Sequence, residues 1–174
     1  MDQVILVDAD DKEIGVMDKV EAHRGTGKLH RATSVFLFNK KGELLVQQRS
    51  SKKITCQLMW ANTCCGNLRP GETYRECAHR RLQEELGIFG VKLEEVVKFL
   101  YQTPCDDEFS EYEMDTVYMG YYDGQVRPNP DEVSGYKWIE WNDLMLQNSL
   151  VPWVKIMKQK EIIKKIKEHY DGIR

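Results

Sequence analysis

The chain has 174 residues, of which 41% are hydrophobic and 30% are charged, and its formal net charge is −3. This length suits one domain that buries a core without disulfide bonds. The small net charge, with both signs interspersed along the chain, argues against a nucleic-acid partner, because nucleic-acid-binding proteins carry clustered basic surface.

The N-terminal residues and the cysteines predict a cytoplasmic protein. Residues 4–7 are the only apolar run before acidic residues begin, and this run is too short for a signal peptide. No segment approaches the length needed to cross a bilayer. The five cysteines are an odd number without a CxxC pair, which disfavours a disulfide framework and a zinc ribbon. We therefore expect a cytoplasmic protein with mostly reduced thiols.

The first third of the chain is predicted to form strands. Short strands are expected over residues 4–7 and 14–17, followed by a loop over residues 21–28. Residues 33–38 are β-branched and aromatic, and a lysine-rich turn that contains glycine separates them from a further strand over residues 44–48. This pattern indicates a hairpin.

The clearest helix is predicted between Thr73 and Gly87. Thr73 and Glu76 have the spacing of a capping box, and Gly87 is a natural C-terminal stop. Apolar residues recur every four positions over residues 78–86, which gives the helix an apolar stripe. We expect this stripe to face the core.

The second half of the chain is predicted to return to strands and to end in helices. Strands are expected over residues 91–103, 112–122 and 136–139, and a short helix over residues 142–146. A longer C-terminal helix is expected from about residue 152 to residue 170. Its apolar side is formed by Val154, Met157, Ile163, Ile166 and Tyr170. Lysines interrupted by glutamates cover the other side, which is typical of a solvated face rather than a membrane surface.

Strands interleaved with a few helices predict an α/β (α+β) fold, in which a mixed β-sheet is sandwiched between helices. There is no internal repeat and no low-complexity linker. We therefore expect residues 1–174 to form a single domain.

Two acids and two histidines form a candidate metal site. Glu111 and Glu113 are two residues apart on a predicted strand, so both carboxylates point to one face. A cation would relieve the repulsion between them. His23 and His30 supply neutral nitrogen ligands, and such a mixed set suits Mn²⁺, Mg²⁺ or Zn²⁺. Taken alone, two loop histidines and two acids are more often ordinary surface residues than metal ligands.

The segment over residues 66–88 closely resembles the Nudix box, G-x5-E-x7-R-E-U-x-E-E-x-G-U, where U is aliphatic. Gly66 and Glu72 begin the match, and Arg80-Arg81-Leu82-Gln83-Glu84-Glu85-Leu86-Gly87-Ile88 ends it. The resemblance implies a Nudix-type fold whose helix-borne glutamates hold Mg²⁺ against a diphosphate. A generic amphipathic helix would explain the periodicity but not the glycine-rich entry at this distance.

One position departs from the hydrolytic Nudix pattern. Arg81 occupies the place of the glutamate in Arg-Glu, and an arginine stays protonated, so it cannot act as a general base. Its guanidinium can instead hold a phosphate with two hydrogen bonds. Arg81 and Glu85 are four residues apart on one helical face, which predicts an anion clamp beside a cation ligand.

Most of the chain, from Val4 to about Met157, resembles the type 1 isopentenyl-diphosphate isomerases of the Nudix superfamily. Several separated motifs occur in the order found in that family. They are Glu21-Ala22-His23, Leu29-His30, Trp60-Ala61-Asn62-Thr63-Cys64-Cys65-Gly66, Arg80-Arg81 with Glu85-Leu86-Gly87, Tyr101 ahead of Glu111-Tyr112-Glu113, and Pro152-Trp153.

The resemblance implies an isomerase that interconverts isopentenyl diphosphate and dimethylallyl diphosphate through a tertiary carbocation. Cys65 and Glu113 would be the acid/base pair that works from opposite faces of the substrate. Tyr101 would orient or polarise Glu113. Trp153 would stabilise the carbocation by a cation–π interaction.

The resemblance also implies the binding residues. The diphosphate would be held by Lys19, Arg49, Lys53 and Arg81. Mg²⁺ would be held by Glu85 and by the backbone carbonyl of Cys65. A second divalent metal, Mn²⁺, Mg²⁺ or Zn²⁺, would be held by His23, His30, Glu111 and Glu113.

Asn67 occupies the position of the family's third histidine ligand. An amide oxygen is a weaker donor than an imidazole toward first-row transition metals, so we expect reduced affinity or a preference for harder ions. The isomerase is the favoured interpretation, because the other catalytic positions match. The alternatives are a Nudix hydrolase of a nucleoside diphosphate derivative and a non-catalytic binder of prenyl diphosphates.

Overall fold

The computed structural model describes residues 2–172, which contain nine β-strands, four α-helices and one 3-10 helix. The strands are β1 (Gln3–Val7), β2 (Glu13–Asp18), β3 (His30–Phe38), β4 (Leu44–Arg49), β5 (Trp60–Ala61), β6 (Cys64–Asn67), β7 (Leu93–Pro104), β8 (Ser110–Tyr121) and β9 (Val133–Ile139). The helices are α1 (Lys19–His23), α2 (Tyr74–Leu86), α3 (Pro152–Gln159) and α4 (Ile162–Gly172), with the 3-10 helix at Trp141–Leu146.

Strand β3 organises the sheet. It runs parallel to β8 along its whole length and antiparallel to β6 over Ala32–Val35. Strand β8 also pairs antiparallel with β7, and β4 pairs antiparallel with β5 and β9. The sheet is therefore mixed, as the sequence predicts.

Helices cover both faces of this sheet. Successive side chains of a strand point to opposite faces, and β3 is buried on both sides. Phe36 and Phe38 belong to the core formed with α3 and α4, whereas Val35 and Leu37 belong to the core formed with α2. Burying each side chain of this size contributes about 1.5–3 kcal/mol. The expected helix–sheet–helix sandwich is confirmed.

Helix α2 begins and ends as its local sequence predicts. The Thr73 hydroxyl accepts a hydrogen bond from the Glu76 amide, and the Glu76 side chain accepts one from the Thr73 amide, so the capping box is complete. Gly87 ends the helix with φ of 64°, a left-handed conformation that favours glycine. Arg81 and Glu85 are buried on the helix face toward the sheet. This placement brings two charged side chains inside the molecule.

The segment predicted as a loop over residues 21–28 begins with a short helix, so that prediction is wrong in part. Asp18 caps α1 by accepting hydrogen bonds from the amides of Val20 and Glu21. Lys19 and His23 are the first and last residues of α1, and their spacing of four puts them on one side of the helix.

The long helix predicted from about residue 152 to residue 170 is divided in two. Glu161 has φ of 58°, and this left-handed residue separates α3 from α4. In one continuous helix Ile162 would point about 140° away from Met157. The break places Ile162 in the same core as Met157. The sequence predicted Ile163 on the apolar side, but Ile162 is the buried residue and Ile163 is only partly buried.

The domain expected over residues 1–174 includes residue 1 and residues 173–174, which lie outside the described residues. Within residues 2–172, no helix combines the length and the apolar character needed to span a bilayer.

Candidate active site

One pocket gathers most of the residues that the sequence singles out. His30 and Glu85 are fully buried and contact residues of its lining. The predicted residues that line the pocket are Lys19, His23, Arg49, Lys53, Cys65, Asn67, Arg81, Tyr101, Glu111, Glu113 and Trp153.

Strand pairing brings Cys65 and Glu113 to the same pocket. Cys65 on β6 is paired with Ser34 of β3, and Glu113 on β8 is paired with His30 of β3. Ser34 and His30 are four residues apart, so their side chains point to the same face of β3. The thiol and the carboxyl group therefore enter the pocket from the two strands that flank β3.

Glu113 is fixed by a hydrogen bond to each of its oxygens. The Tyr101 hydroxyl donates to Oε2 at 2.5 Å, and the Asn67 amide donates to Oε1 at 2.8 Å. Burial, and then the charge of Glu113, raises the pKa of Tyr101 well above its ordinary value. Tyr101 therefore stays protonated and can serve only as a donor to Glu113 at neutral pH.

Cys65 is surrounded by polar groups of the protein. Its Sγ lies 3.2 Å from Asn62 Oδ1 and 3.6 Å from Ser34 Oγ, and Ser34 Oγ donates to Asp115 Oδ2 at 2.7 Å. Burial, to which the nearby Asp115 adds, raises the pKa of the Cys65 thiol to about 12. Cys65 is thus a protonated thiol at neutral pH and can supply a proton.

Trp153 of α3 forms a wall of the pocket and is 3% exposed. Its Nε1 donates to Asn62 Oδ1 at 3.1 Å. The Arg49 guanidinium carbon lies 5.1 Å from the centroid of the Trp153 ring. This is the distance of a cation–π contact between two residues that line the pocket.

Four side chains form a compact cluster of potential metal ligands. One ligand atom each from His23, His30, Glu111 and Glu113 lies within 4.8 Å of every other, and all four residues are buried. Nε2 of His23 lies 3.1 Å from Glu111 Oε2, and Nε2 of His30 lies 3.5 Å from Glu113 Oε1. The predicted two-histidine, two-glutamate set is therefore assembled in space.

Both histidine rings are oriented by backbone carbonyls. Nδ1 of His23 donates to the carbonyl of Lys19, and Nδ1 of His30 donates to the carbonyl of Lys28, each at 2.7 Å. Nε2 of each ring then faces the glutamates, as is usual for histidines that bind a metal.

The electrostatics of the cluster favour a cation. Glu111 Oε2 accepts no hydrogen bond from the described residues, although it lies at ion-pair distance from His23. Burial by itself lowers the pKa of His23, but the Glu111 carboxylate outweighs burial and the net pKa is raised. The carboxylates thus favour positive charge beside the His23 ring, and the residues present fit a divalent ion.

Asn67 lies at the edge of this cluster. Its Nδ2 contacts His30 Nε2 at 3.0 Å and donates to Glu113 Oε1 at 2.8 Å. The amide nitrogen, rather than the oxygen, faces the cluster, and a nitrogen that carries hydrogens cannot ligate a metal. Coordination by Asn67 would require its side-chain amide to turn.

The predicted diphosphate-binding residues concentrate positive charge in the pocket. Burial, followed by the charges of Arg81 and Lys53, lowers the pKa of Lys19. Nε of Arg81 is buried and has no hydrogen-bond partner among the described residues. A bound anion would relieve both the mutual repulsion and the unpaired donor.

In the structure, two carboxylates neutralise part of this charge. Glu85 accepts hydrogen bonds from Lys53 Nζ at 2.8 Å, from Gln47 Nε2 at 2.5 Å and from Arg81. Glu132 binds the same two cations, Lys53 and Arg81. Lys53 and Arg81 are therefore each paired with both carboxylates.

Sequence reasoning missed several residues of the site. Asp115 could have been found, because it continues the alternation of Glu111 and Glu113 on the same face of β8. Asn62 stands in the motif over residues 60–66, but the sequence assigned it no role. The other missed residues come from distant segments and carry no local signal. They are Ser34, Thr55 and Glu132.

The fold and this site define a Nudix protein. Residues 28–160 match the family model described as NUDIX domain. The crystal structure of DR0079 from Deinococcus radiodurans has the same fold, with a TM-score of 0.72 and 20% identity over 94% of this chain and 98% of that chain.

Curated relatives define the family more closely. Isopentenyl-diphosphate Delta-isomerase 1 of Aromatoleum aromaticum is 45% identical over 139 residues, which cover 80% of this chain and 77% of the relative. Isopentenyl-diphosphate Delta-isomerase 2 of Photorhabdus laumondii is 41% identical over 94% of this chain and 92% of the relative. The chain belongs to the isopentenyl-diphosphate Delta-isomerase family.

Proposed function

We propose that this protein interconverts isopentenyl diphosphate and dimethylallyl diphosphate with Cys65 and Glu113 as the acid/base pair. The observation that carries the proposal is the entry of both side chains into one pocket, from the two strands that flank β3. The identity to the Aromatoleum and Photorhabdus isomerases supports the same reaction.

The proposed reaction is a proton addition followed by a proton loss. One member of the pair protonates the terminal alkene carbon of isopentenyl diphosphate, which leaves a tertiary carbocation. The other member then removes a proton from the methylene carbon next to the cationic carbon, from the opposite face of the substrate. The new double bond forms between these two carbons and gives dimethylallyl diphosphate. Trp153 stabilises the cation through its ring face, an effect worth about 2 kcal/mol when water is excluded.

Tyr101 holds Glu113 in place for this proton transfer. Its hydroxyl donates to Oε2 at 2.5 Å, which restricts the rotation of the carboxyl group. A positioned acid or base of this kind contributes about 10²–10⁴-fold to the rate.

The diphosphate group is proposed to bind Lys19, Arg49, Lys53 and Arg81. All four line the pocket, which gives it the positive charge that a diphosphate requires. Glu85 and the backbone carbonyl of Cys65 are proposed to hold Mg²⁺, which would neutralise phosphate charge when bound. Oε1 of Glu85 becomes available to an ion once Lys53 and Arg81 turn to the phosphates.

His23, His30, Glu111 and Glu113 are proposed to hold the second divalent metal. The buried acceptor oxygen of Glu111 and the oriented Nε2 atoms support this assignment. Asn67 adds at most an amide oxygen, so we propose Mg²⁺ or Mn²⁺ rather than Zn²⁺ as the ion of this site.

The activity is tested with isopentenyl diphosphate in D₂O, in the presence of Mg²⁺ and Mn²⁺, by proton NMR. We expect dimethylallyl diphosphate to form and deuterium to enter the allylic product. A parallel phosphate-release assay on a nucleotide panel tests the hydrolase alternative. Phosphate release without allylic product would overturn the proposal, and so would tight binding of the prenyl diphosphate without turnover.

The roles are tested with Cys65→Ala and Glu113→Gln, which should each abolish isomerisation while circular dichroism shows an intact fold. Glu95→Gln makes the same chemical change as Glu113→Gln at a residue that does not line the pocket. This control should keep wild-type turnover. Near-normal turnover by Cys65→Ala or Glu113→Gln would contradict the assigned roles.

A further inference from the structure

Asn62 links two residues of the proposed site that are distant in the sequence. It is fully buried and lies between β5 and β6. Its Oδ1 accepts hydrogen bonds from Cys65 Sγ at 3.2 Å and from Trp153 Nε1 at 3.1 Å. One amide oxygen therefore contacts both the thiol of β6 and the indole of α3.

The other end of the same amide is anchored to the backbone. Nδ2 of Asn62 donates to the carbonyl of Val35 at 3.1 Å and to the carbonyl of Cys64 at 3.0 Å. An asparagine amide has two donor hydrogens and two acceptor positions, and all four are used here. A flipped amide would place hydrogens against the Trp153 N–H and oxygen against two carbonyls, so its orientation is fixed.

We infer that Asn62 is a positioning residue, which holds the Cys65 thiol and the Trp153 ring in a fixed relation to each other within the pocket. The inference rests on the proposed isomerase function. Asn62 does not line the pocket, and it acts through the two residues that do.

The proposed reaction requires the Cys65 thiol and the Trp153 ring to be aligned with each other. A proton must be transferred at one carbon while positive charge develops beside an aromatic face, so the acid/base group and the ring have to be aligned at the same moment. A misplacement of 1 Å in such a site costs about 100-fold in rate. Trp153 belongs to α3 and Cys65 to the sheet, and the shared oxygen of Asn62 joins these two elements directly.

The test is Asn62→Ala, assayed by proton NMR with isopentenyl diphosphate, together with the affinity for inorganic diphosphate in the presence of Mg²⁺. We expect kcat to fall by about 10–100-fold. KM and the diphosphate affinity should change by less than about threefold, because the cationic side chains are untouched. Asn62→Ser is the second variant. The serine hydroxyl can donate to one of the two backbone carbonyls, but the side chain is too short to bridge Cys65 Sγ and Trp153 Nε1.

Asn39→Ala is the matched control. Asn39 is also a buried asparagine, and it makes three hydrogen bonds, to Lys41 and Glu43 of the turn between β3 and β4. We expect Asn39→Ala to lower the melting temperature without changing kcat. A loss of kcat shared by both variants would show that Asn62 acts through general stability, and it would overturn the inference.

A double-mutant cycle with Trp153→Phe separates positioning from simple loss of a contact. Trp153→Phe keeps an aromatic ring but removes the N–H that Asn62 accepts. If Asn62 acts through Trp153 and Cys65, the double variant loses less activity than the product of the single losses. A loss of kcat in the double variant that equals the product of the two single losses would overturn the inference. A kcat of Asn62→Ala within about threefold of wild type would overturn it as well. An inactive wild-type protein would instead contradict the proposed function itself.

Discussion

The side-chain amide of Asn67 donates to Oε1 of Glu113 at 2.8 Å, at the position where related isomerases are expected to place a third histidine ligand. Its Nδ2 also faces Nε2 of His30 at 3.0 Å. The amide nitrogen of Asn67 therefore contacts two of the four proposed metal ligands.

This contact predicts that Asn67→His raises the metal affinity of the cluster by at least about tenfold, because an imidazole is a stronger donor than an amide for first-row transition metals. Calorimetric titration with Mn²⁺ measures the change. Asn67→Ala is the comparison: it should leave the affinity within about threefold if the amide is not a ligand. Equal affinities for Asn67→His and wild type would mean that residue 67 does not face the ion.

Tyr101→Phe should lower kcat by about 10–100-fold while KM stays within threefold. The variant removes only the hydroxyl that donates to Glu113 Oε2, and it keeps the ring that stacks on Phe99 with centroids 5.4 Å apart. Steady-state kinetics measure the effect. Tyr122→Phe is the control, because it removes a hydroxyl that donates to the Gln125 carbonyl away from the pocket. It should leave kcat and KM unchanged. Full activity of Tyr101→Phe would show that Glu113 needs no partner at Oε2.

Gly66→Ala should raise KM for isopentenyl diphosphate by about tenfold with a smaller change in kcat. A methyl group at Gly66 would lie 2.4 Å from Cγ of Arg81 and 2.7 Å from its Cδ, so the arginine must move away from its carboxylate partners. A displaced guanidinium loses its bidentate contact with a phosphate.

Gly135→Ala is the control for this substitution, because its nearest neighbour, Gln48 Oε1, lies at 3.8 Å, an ordinary contact distance. Gly135→Ala should leave KM unchanged. An unaltered KM for Gly66→Ala would show that Arg81 does not bind the diphosphate.

Asp11→Asn should destabilise the protein at pH 7, and the difference from wild type should shrink below about pH 4. Asp11 accepts hydrogen bonds from Arg31, Tyr74 and Lys98. Burial by itself raises the pKa of Asp11, but these partners outweigh it and the net pKa is lowered. The stability that the carboxylate contributes is therefore complete above the ordinary aspartate pKa and is lost as the pH falls through the folded-state pKa.

Urea unfolding of wild type and Asp11→Asn at pH 7 and pH 3 measures this effect. Asparagine tolerates the φ of 62° at position 11, so the substitution tests charge rather than backbone conformation. Asp10→Asn changes an exposed neighbour and should be neutral at both pH values. A difference that persists unchanged at pH 3 would mean that the charge of Asp11 is not responsible.

Local patterns predicted the elements whose determinants are adjacent in the sequence. Helix α2 has its capping box and its terminal glycine within one short segment, and both were predicted correctly. The alternation at Glu111 and Glu113 predicted two carboxylates on one face, and the cluster with His23 and His30 confirms it. The break at Glu161 was not predicted, because it depends on where the sheet and α3 leave room for Ile162.

The sequence by itself determined the family, most of the strands and helices and the residue types of the proposed site, because each is carried by residue type and spacing along the chain. Only the tertiary structure decided which side chains that are distant in the sequence contact each other. Asn62 meets Trp153 across 91 positions, and Glu132 meets Arg81 across 51. Such contacts follow from strand order and helix docking, and no local periodicity encodes the distance between two side chains on separate elements.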